Sequence, residues 1–309
     1  MVEGARIDPE KVNYRRVQDW LRRCDDKHDG TCCRLPRSCP VQISCVDCYT
    51  REIVPIAPDA DYLALSYVWG DKKTLPEAES VERLPGDDKV PRVVRDAMVV
   101  VRELGKRYLW VDQYCIDQKN EDNKRRQILH MDQVYEGAYA TIVAAAGPDA
   151  EFGLPGVAGR CRNEQLFAET PTITLLQVPW TLGASLSLNA WMTRGWTYQE
   201  AVLSRRLLVF TEQAVYFVCA AMKRCEGVLI GTDDANLGQG ERLITLHSKA
   251  LSVAQGHFDS LQTDGYTLLR HLLSHIQHYS PRRLTFQTDR LSAFRGILSR
   301  WPFYSYFGI

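Results

Sequence analysis

The stretch Tyr62-Leu-Ala-Leu-Ser-Tyr-Val-Trp-Gly-Asp71 decides how this chain is read. A nearly unbroken apolar run of that length, closed by a glycine, predicts a buried strand over 62–68 and a turn carrying Trp69 and Asp71. Far downstream, Arg194-Gly-Trp-Thr-Tyr-Gln-Glu200 predicts the opening of a helix, with Glu200 four residues after Trp196 and so on the same face. An aromatic ring and an acid at the carboxyl end of a strand, faced by a helix bearing Trp and Glu, suggest a pocket for a flat ring and a ribose.

Outward from that strand, apolar runs at 108–111 and 140–146 predict two more strands. Between them lie two amphipathic helices. One, over 90–104, places Val93, Val94, Ala97, Val100, Val101 and Leu104 on one face, and the other, over 122–136, does so with Ile128, Leu129, Met131, Val134 and Tyr135. Alternation of this kind predicts an α/β fold with a parallel sheet flanked by helices, whose ligands gather at the carboxyl ends of the strands. Residues 147–159 contain four glycines and two prolines, which predicts a long surface connection able to act as a lid. A β-prone stretch at 172–178 precedes the Trp196–Glu200 helix, and 206–210 with 214–219 reads as a hairpin. A Gly- and Asp-bearing linker over 227–240 leads to helices at 268–278 and 291–301. The expected organisation is a Cys-rich arm over 1–52, a central domain over 53–226 and a helical segment over 227–309.

The arm opens with a helix over 12–21, whose Val12, Tyr14, Val17, Trp20 and Leu21 recur at near-helical spacing. Six of the ten cysteines, Cys24, Cys32, Cys33, Cys39, Cys45 and Cys48, fall within the first fifty residues. No secretory leader is evident, which disfavours a disulfide scaffold. Cys24-x3-His28-x3-Cys32, followed by Cys39 and Cys45-x2-Cys48, offers ligand types that zinc uses. Its irregular spacing favours reduced thiols instead, as does an alternating strand over 46–56 in which Cys48 is a small hydrophobe.

The 309 residues, 45% hydrophobic and 25% charged, suffice for one large core or two modest ones. Lys and Arg total 38 and so do Asp and Glu, so no general attraction draws the chain to nucleic acid or to an acidic membrane. No apolar run approaches the roughly 18 residues of a membrane span, and a cytoplasmic location is the expectation. Gly-x-Gly-x-x-Gly, P-loop, His-Glu-x-x-His and Gly-x-Ser-x-Gly signatures are missing, which removes the main support for dehydrogenase, P-loop NTPase, zincin and α/β-hydrolase readings.

Three blocks together carry a family resemblance. Tyr62 to Asp71, then Tyr108-Leu-Trp-Val-Asp-Gln-Tyr-Cys-Ile-Asp-Gln118, then Arg194 to Glu200 followed by Leu203-Ser-Arg-Arg-Leu-Leu-Val-Phe210, resemble the fungal heterokaryon incompatibility (HET) domain in content, order and spacing, over residues 53–219. Tyr279-Ser-Pro-Arg-Arg-Leu-Thr-Phe286 with Asp289-Arg-Leu-Ser-Ala-Phe294 is similar to a segment that often follows that domain. The resemblance implies a fungal protein of non-self recognition and programmed cell death. That family in turn is similar to Toll/interleukin receptor (TIR) domains, which implies a flavodoxin-like sheet and cleavage of NAD. Trp196 and Glu200 match the Trp-x-x-x-Glu of enzymatic TIR domains, Ser66 and Tyr67 match the Ser-aromatic pair ending their first strand, and Asp112 matches the Asp ending their second.

The implied activity is a cell-death effector that hydrolyses NAD, needs no further cofactor, and is switched on by self-association, with an upstream recognition protein as a possible partner. Breaking the nicotinamide–ribose bond passes through an oxocarbenium-like state that a carboxylate stabilises, and Glu200 is the candidate. Trp69 or Trp196 could stack on a base, Arg194 could hold pyrophosphate, and Ser66 and Asp71 could meet ribose or phosphate. Plainer roles exist for each. Glu200 could pair with Arg205 or Arg206 on a helix surface, the Trp residues could be core wedges, and Asp112 and Asp117 could be turn or cap residues. Tyr114 and Cys115 read as packing, and His130 as a surface or satisfied core group. Two other functions compete: a non-catalytic assembly module of the same fold, and a Mg²⁺-dependent nucleotide or phosphodiester hydrolase built on Asp71, Asp112 and Asp117.

Overall fold

The computed structural model describes residues 3–28, 32, 42–70, 82–117, 120–187, 189–229 and 265–300. Its strands are β1 (Glu3–Gly4), β2 (Ser44–Asp47), β3 (Ile53–Pro55), β4 (Tyr62–Ser66), β5 (Tyr108–Trp110), β6 (Ala140–Ala144), β7 (Phe167–Glu169), β8 (Thr174–Leu176), β9 (Arg206–Phe210), β10 (Val215–Cys219), β11 (Lys223–Cys225) and β12 (Val228–Leu229). The helices are α1 (Tyr14–Lys27), α2 (Arg92–Glu103), α3 (Asp112–Cys115), α4 (Glu121–Leu129), α5 (Met131–Gly137), α6 (Leu182–Leu186), α7 (Ala190–Thr193), α8 (Gly195–Leu203), α9 (Gly265–Tyr279) and α10 (Ser292–Leu298). None of the described helices is long and apolar enough to cross a membrane.

Eight strands form one sheet in the order β11-β10-β9-β6-β4-β5-β2-β3. Its centre, β5-β4-β6-β9, is parallel, as the strand–helix alternation requires. Every residue of β4 and β6 is buried, which is why both strands are apolar without alternation. Both edges are antiparallel, so the expected all-parallel sheet is corrected to a mixed one. The reason is connection length: β9, β10 and β11 follow one another through tight turns, and a tight turn can only reverse the chain.

The same geometry corrects the single strand expected over 46–56. Asp47 Oδ1 accepts the amides of Tyr49 and Thr50 at 2.9 and 3.3 Å, and Arg51 takes a positive φ of 66°, folding the segment into the β2–β3 hairpin. The expected arm therefore supplies β2, a strand of the main sheet, and α1 buries Val17, Trp20 and Leu21 in the same core, with the Trp20 and Phe217 rings 6.4 Å apart.

The helix expected over 122–136 is two helices that meet at His130, the C-cap of α4 and N-cap of α5. α4 buries nothing while α5 buries Met131, Val134 and Tyr135, so the chain changes direction where its apolar face begins. Residues 147–159, expected as a surface connection able to act as a lid, are irregular and partly buried. Ala150, Leu154 and Val157 are buried, the Leu154 amide donates to Asp96 at 2.8 Å, and the Val12 amide donates to Gly156 at 3.0 Å. The β-prone stretch pairs as β7–β8, a separate two-stranded hairpin. In the C-terminal segment, α9 and α10 close over α8 through Tyr198, Val202, Leu203, Tyr279, Phe294 and Ile297.

Candidate functional site

Ser66 ends β4 inside the sheet, Asp112 opens α3 just beyond β5, and α8 lies against both with Glu200 turned inward. Glu200 is only 5% exposed. Ser66 Oγ donates to Glu200 Oε2 and itself accepts the indole N–H of Trp191 at 2.7 Å. The Tyr135 hydroxyl is within hydrogen-bonding reach of the Glu200 carboxyl and lies 3.2 Å from the Leu65 carbonyl. The Asp112 carboxyl accepts the Trp69 indole N–H at 2.9 Å and the Gln113 amide at 2.7 Å. Tyr67 donates to Gln113 Oε1 at 3.2 Å and borders the same carboxyl.

Burial pushes the Glu200 carboxyl up to about 7; the Ser66 hydrogen bond opposes the rise, the Asp112 charge adds to it, and the Arg194 guanidinium opposes it. Burial likewise pushes Asp112 up to about 6, against the Gln113 amide, the Trp69 indole and Arg194. The site thus holds two carboxyl groups that titrate near neutrality beside one cation, at the carboxyl ends of adjacent parallel strands. A carboxyl poised in that way can stabilise growing positive charge or move a proton.

Ser66, Tyr67, Trp69, Asp112 and Glu200 therefore come together, and Arg194 is close enough for both carboxyl groups to feel its charge. Trp196 is half-buried and packs between the main core and the C-terminal helices. Asp71 lies outside the described residues. Neither Arg205 nor Arg206 pairs with Glu200: Arg205 donates to the Glu136 carbonyl at 2.8 Å, and Arg206 pairs with Asp25 at 2.6 Å.

Three residues at the site escaped the sequence reading. Trp191 sits in α7, too short to show a periodicity; Tyr135 reads only as one more apolar position of an amphipathic helix. Arg282 comes from the distant segment after α9. It is 7% exposed, lies 4.6 Å over the Tyr198 ring, and donates to the Arg194 carbonyl at 3.2 Å, directly ahead of α8. A doubled arginine in sequence gives no sign that one member is buried.

A cavity of about 660 Å³ opens beside the cluster, lined among others by Ala145, Asn189, Ala190, Thr193, Thr211 and Arg283. Glu200 does not line it. α7 stands between them, giving Ala190 and Thr193 to the cavity and Trp191 to Ser66.

Asp112 and Asp117 do not join a cation site among the described residues. Asp112 serves Trp69 and Gln113, whereas Asp117 accepts the Asn120 amide at 3.3 Å just ahead of α4. Cys115 is buried, with its sulfur 3.3 Å from the Val111 amide, which accords with a packing role.

Residues 62–200, the span from β4 to Glu200, match the family model described as Heterokaryon incompatibility protein (HET). A stretch of 113 residues is 31% identical to Heterokaryon incompatibility protein 6, OR allele, of Neurospora crassa, covering 31% of this chain and 17% of that protein. The chain thus spans less than a fifth of that relative's length. No solved structure matches significantly.

Proposed function

From the premise that this chain carries a HET domain over residues 62–200, we propose that it acts in fungal heterokaryon incompatibility as a cell-death effector that hydrolyses NAD. The observation that carries the reading is Glu200: a carboxyl group pushed up to about 7, at the ends of parallel strands, four residues after Trp196. The parallel strands also support it. In chain order they lie second-first-third-fourth across the sheet, the order of flavodoxin-like folds, and Ser66 sits where connections to either side diverge.

In the proposed reaction the nicotinamide–ribose bond breaks with its electron pair leaving on the ring nitrogen, so nicotinamide departs neutral and positive charge grows on the sugar. Ionised Glu200 stabilises that charge, water adds to C1′, and its proton passes to solvent. Because the bound nicotinamide ring is cationic, it favours the ionised carboxylate that chemistry requires. Arg194 would face the pyrophosphate, and Trp69 or Trp196 a ring. The described arrangement is then a resting one, with Trp191 closing Glu200 off from the 660 Å³ cavity until α7 shifts. NAD and a second copy of the chain are the partners this reading requires.

A second reading, an assembly module without catalysis, is favoured by the burial of Glu200 and its satisfaction by Ser66 and Tyr135. Nicotinamide release by the purified chain at rising concentration, beside Glu200→Gln, separates the two. Release that grows faster than concentration and falls at least about a hundredfold in the variant is expected. No release from a folded chain at any concentration, with NAD failing to bind, would move the assignment to the assembly module.

A further inference from the structure

Outside the carboxyl cluster, the described residues bring together one group of side chains that the proposed chemistry does not use. Cys24, His28, Cys32 and Cys219 converge so that all four ligand atoms lie within 4.8 Å of one another. Cys24 lies in the last turn of α1 and His28 is its C-cap, and the Cys32 amide donates to the His28 carbonyl at 2.9 Å. All three therefore come from the end of α1 and the residue whose amide bonds back to its C-cap. The fourth, Cys219, ends β10, 187 positions after Cys32.

We propose that these four side chains bind a structural Zn²⁺ ion. In a tetrahedron with Zn–S near 2.3 Å and Zn–N near 2.0–2.1 Å, sulfur and nitrogen stand roughly 3.6 Å apart and two sulfurs roughly 3.8 Å apart. His28 Nδ1 lies 3.5 Å from Cys219 Sγ, and the remaining separations stay below 4.8 Å. Three thiolates and an imidazole fill a zinc site with no position left for water, which marks it as structural, and sulfur-rich tetrahedral sets select zinc over the hard cations. Binding displaces the three thiol protons to solvent, leaving a net charge of minus one on the complex. Arg206 answers that charge: it is buried, lies beside the Cys24 sulfur, and is 3.3 Å from the Cys32 carbonyl.

The ligands also explain what an ion would do. α1 belongs to the segment before the HET domain, and β10 follows α8 and β9. A shared ion fastens the two at β10, one strand in from the edge of the sheet and on the strand that carries the Trp20–Phe217 contact. Cys45 and Cys48, which form the C-x2-C pair in sequence, lie instead in the apolar core and take no part.

Elemental analysis of the full chain purified without chelator, with Co²⁺ titrated into the demetallated chain, tests the proposal. About one zinc per chain is expected, with Co²⁺ giving the visible bands and thiolate charge-transfer absorption of a tetrahedral site. Cys219→Ser and Cys24→Ser should lower metal content at least roughly tenfold, whereas Cys161→Ser, at an exposed position, should not. A folded wild-type chain with no zinc and no Co²⁺ bands overturns the proposal, whatever the folding of the variants. So does a disulfide among the four positions in the purified chain, or zinc that Cys24→Ser and Cys219→Ser both retain.

Discussion

Glu200 shows how one side chain joins stability to activity. Its folded pKa of about 7 stands above the ordinary 4.5, so the native state holds a proton that the unfolded chain gives up earlier. Stability from this group is therefore highest below about pH 4.5 and falls as pH rises toward 7. Above that, carrying an ionised buried carboxylate costs about 3 kcal/mol. Glu200→Gln removes the charge while keeping an acceptor for Ser66. It is expected to raise the melting temperature relative to wild type at pH 8 and to lose most of that advantage at pH 5; equal differences at both would show that Glu200 ionises normally. For the proposed hydrolysis the dependence runs the other way. kcat/KM should climb through about pH 7 as Glu200 loses its proton, and a flat profile from pH 5 to 9 would argue against a catalytic carboxylate.

Helix α8 is buried on all sides, save for partial exposure at Trp196. The sheet holds one face through Glu200 and Ser66, α5 borders it, and α9 and α10 cover the rest. Its order depends on a close approach at Gly296 in α10, whose amide donates to Gln199 Oε1 at 2.9 Å. A β-carbon there would overlap that of Asp132 and press within 2.9–3.0 Å of Gln199 Oε1 and Leu203 Cδ1. Gly296→Val should thus cost about 2 kcal/mol or more in urea unfolding, through overpacking that backbone shifts cannot relieve cheaply. A variant as stable as wild type would mean that α10 is only loosely docked.

At the scale of the molecule, the sheet and α1 share a core that meets the helices over α8 at Trp196, whereas the β7–β8 hairpin touches the rest through Arg6, 4.0 Å over the Phe167 ring, and leaves several apolar side chains uncovered. Phe167, Ile173, Leu175 and Trp180 are all exposed on or beside it. The self-association proposed above predicts that an exposed apolar patch of this kind meets a second copy. Leu175→Asp is expected to abolish concentration-dependent association in sedimentation velocity without lowering thermal stability. Unchanged association would send the interface elsewhere.

The sequence by itself determined the parallel centre of the sheet, the positions of α2 and α8, and the β9–β10 hairpin. These follow from local periodicity and from apolar runs long enough to require burial on both faces. It also put Trp196 and Glu200 on one helix face, because a four-residue helical spacing is a local property, while the resemblance to TIR domains marked Ser66 and Asp112. Tertiary structure alone decided the antiparallel edges, the break at His130, the anchoring of 147–159 by Asp96, and the return of Arg282 to the start of α8. It alone brought Cys219 to Cys24, His28 and Cys32, and it alone decided that Glu200 is closed in and titrates near 7. Those features arise between residues far apart along the chain, where no spacing rule operates and desolvation exists only once the packing is complete.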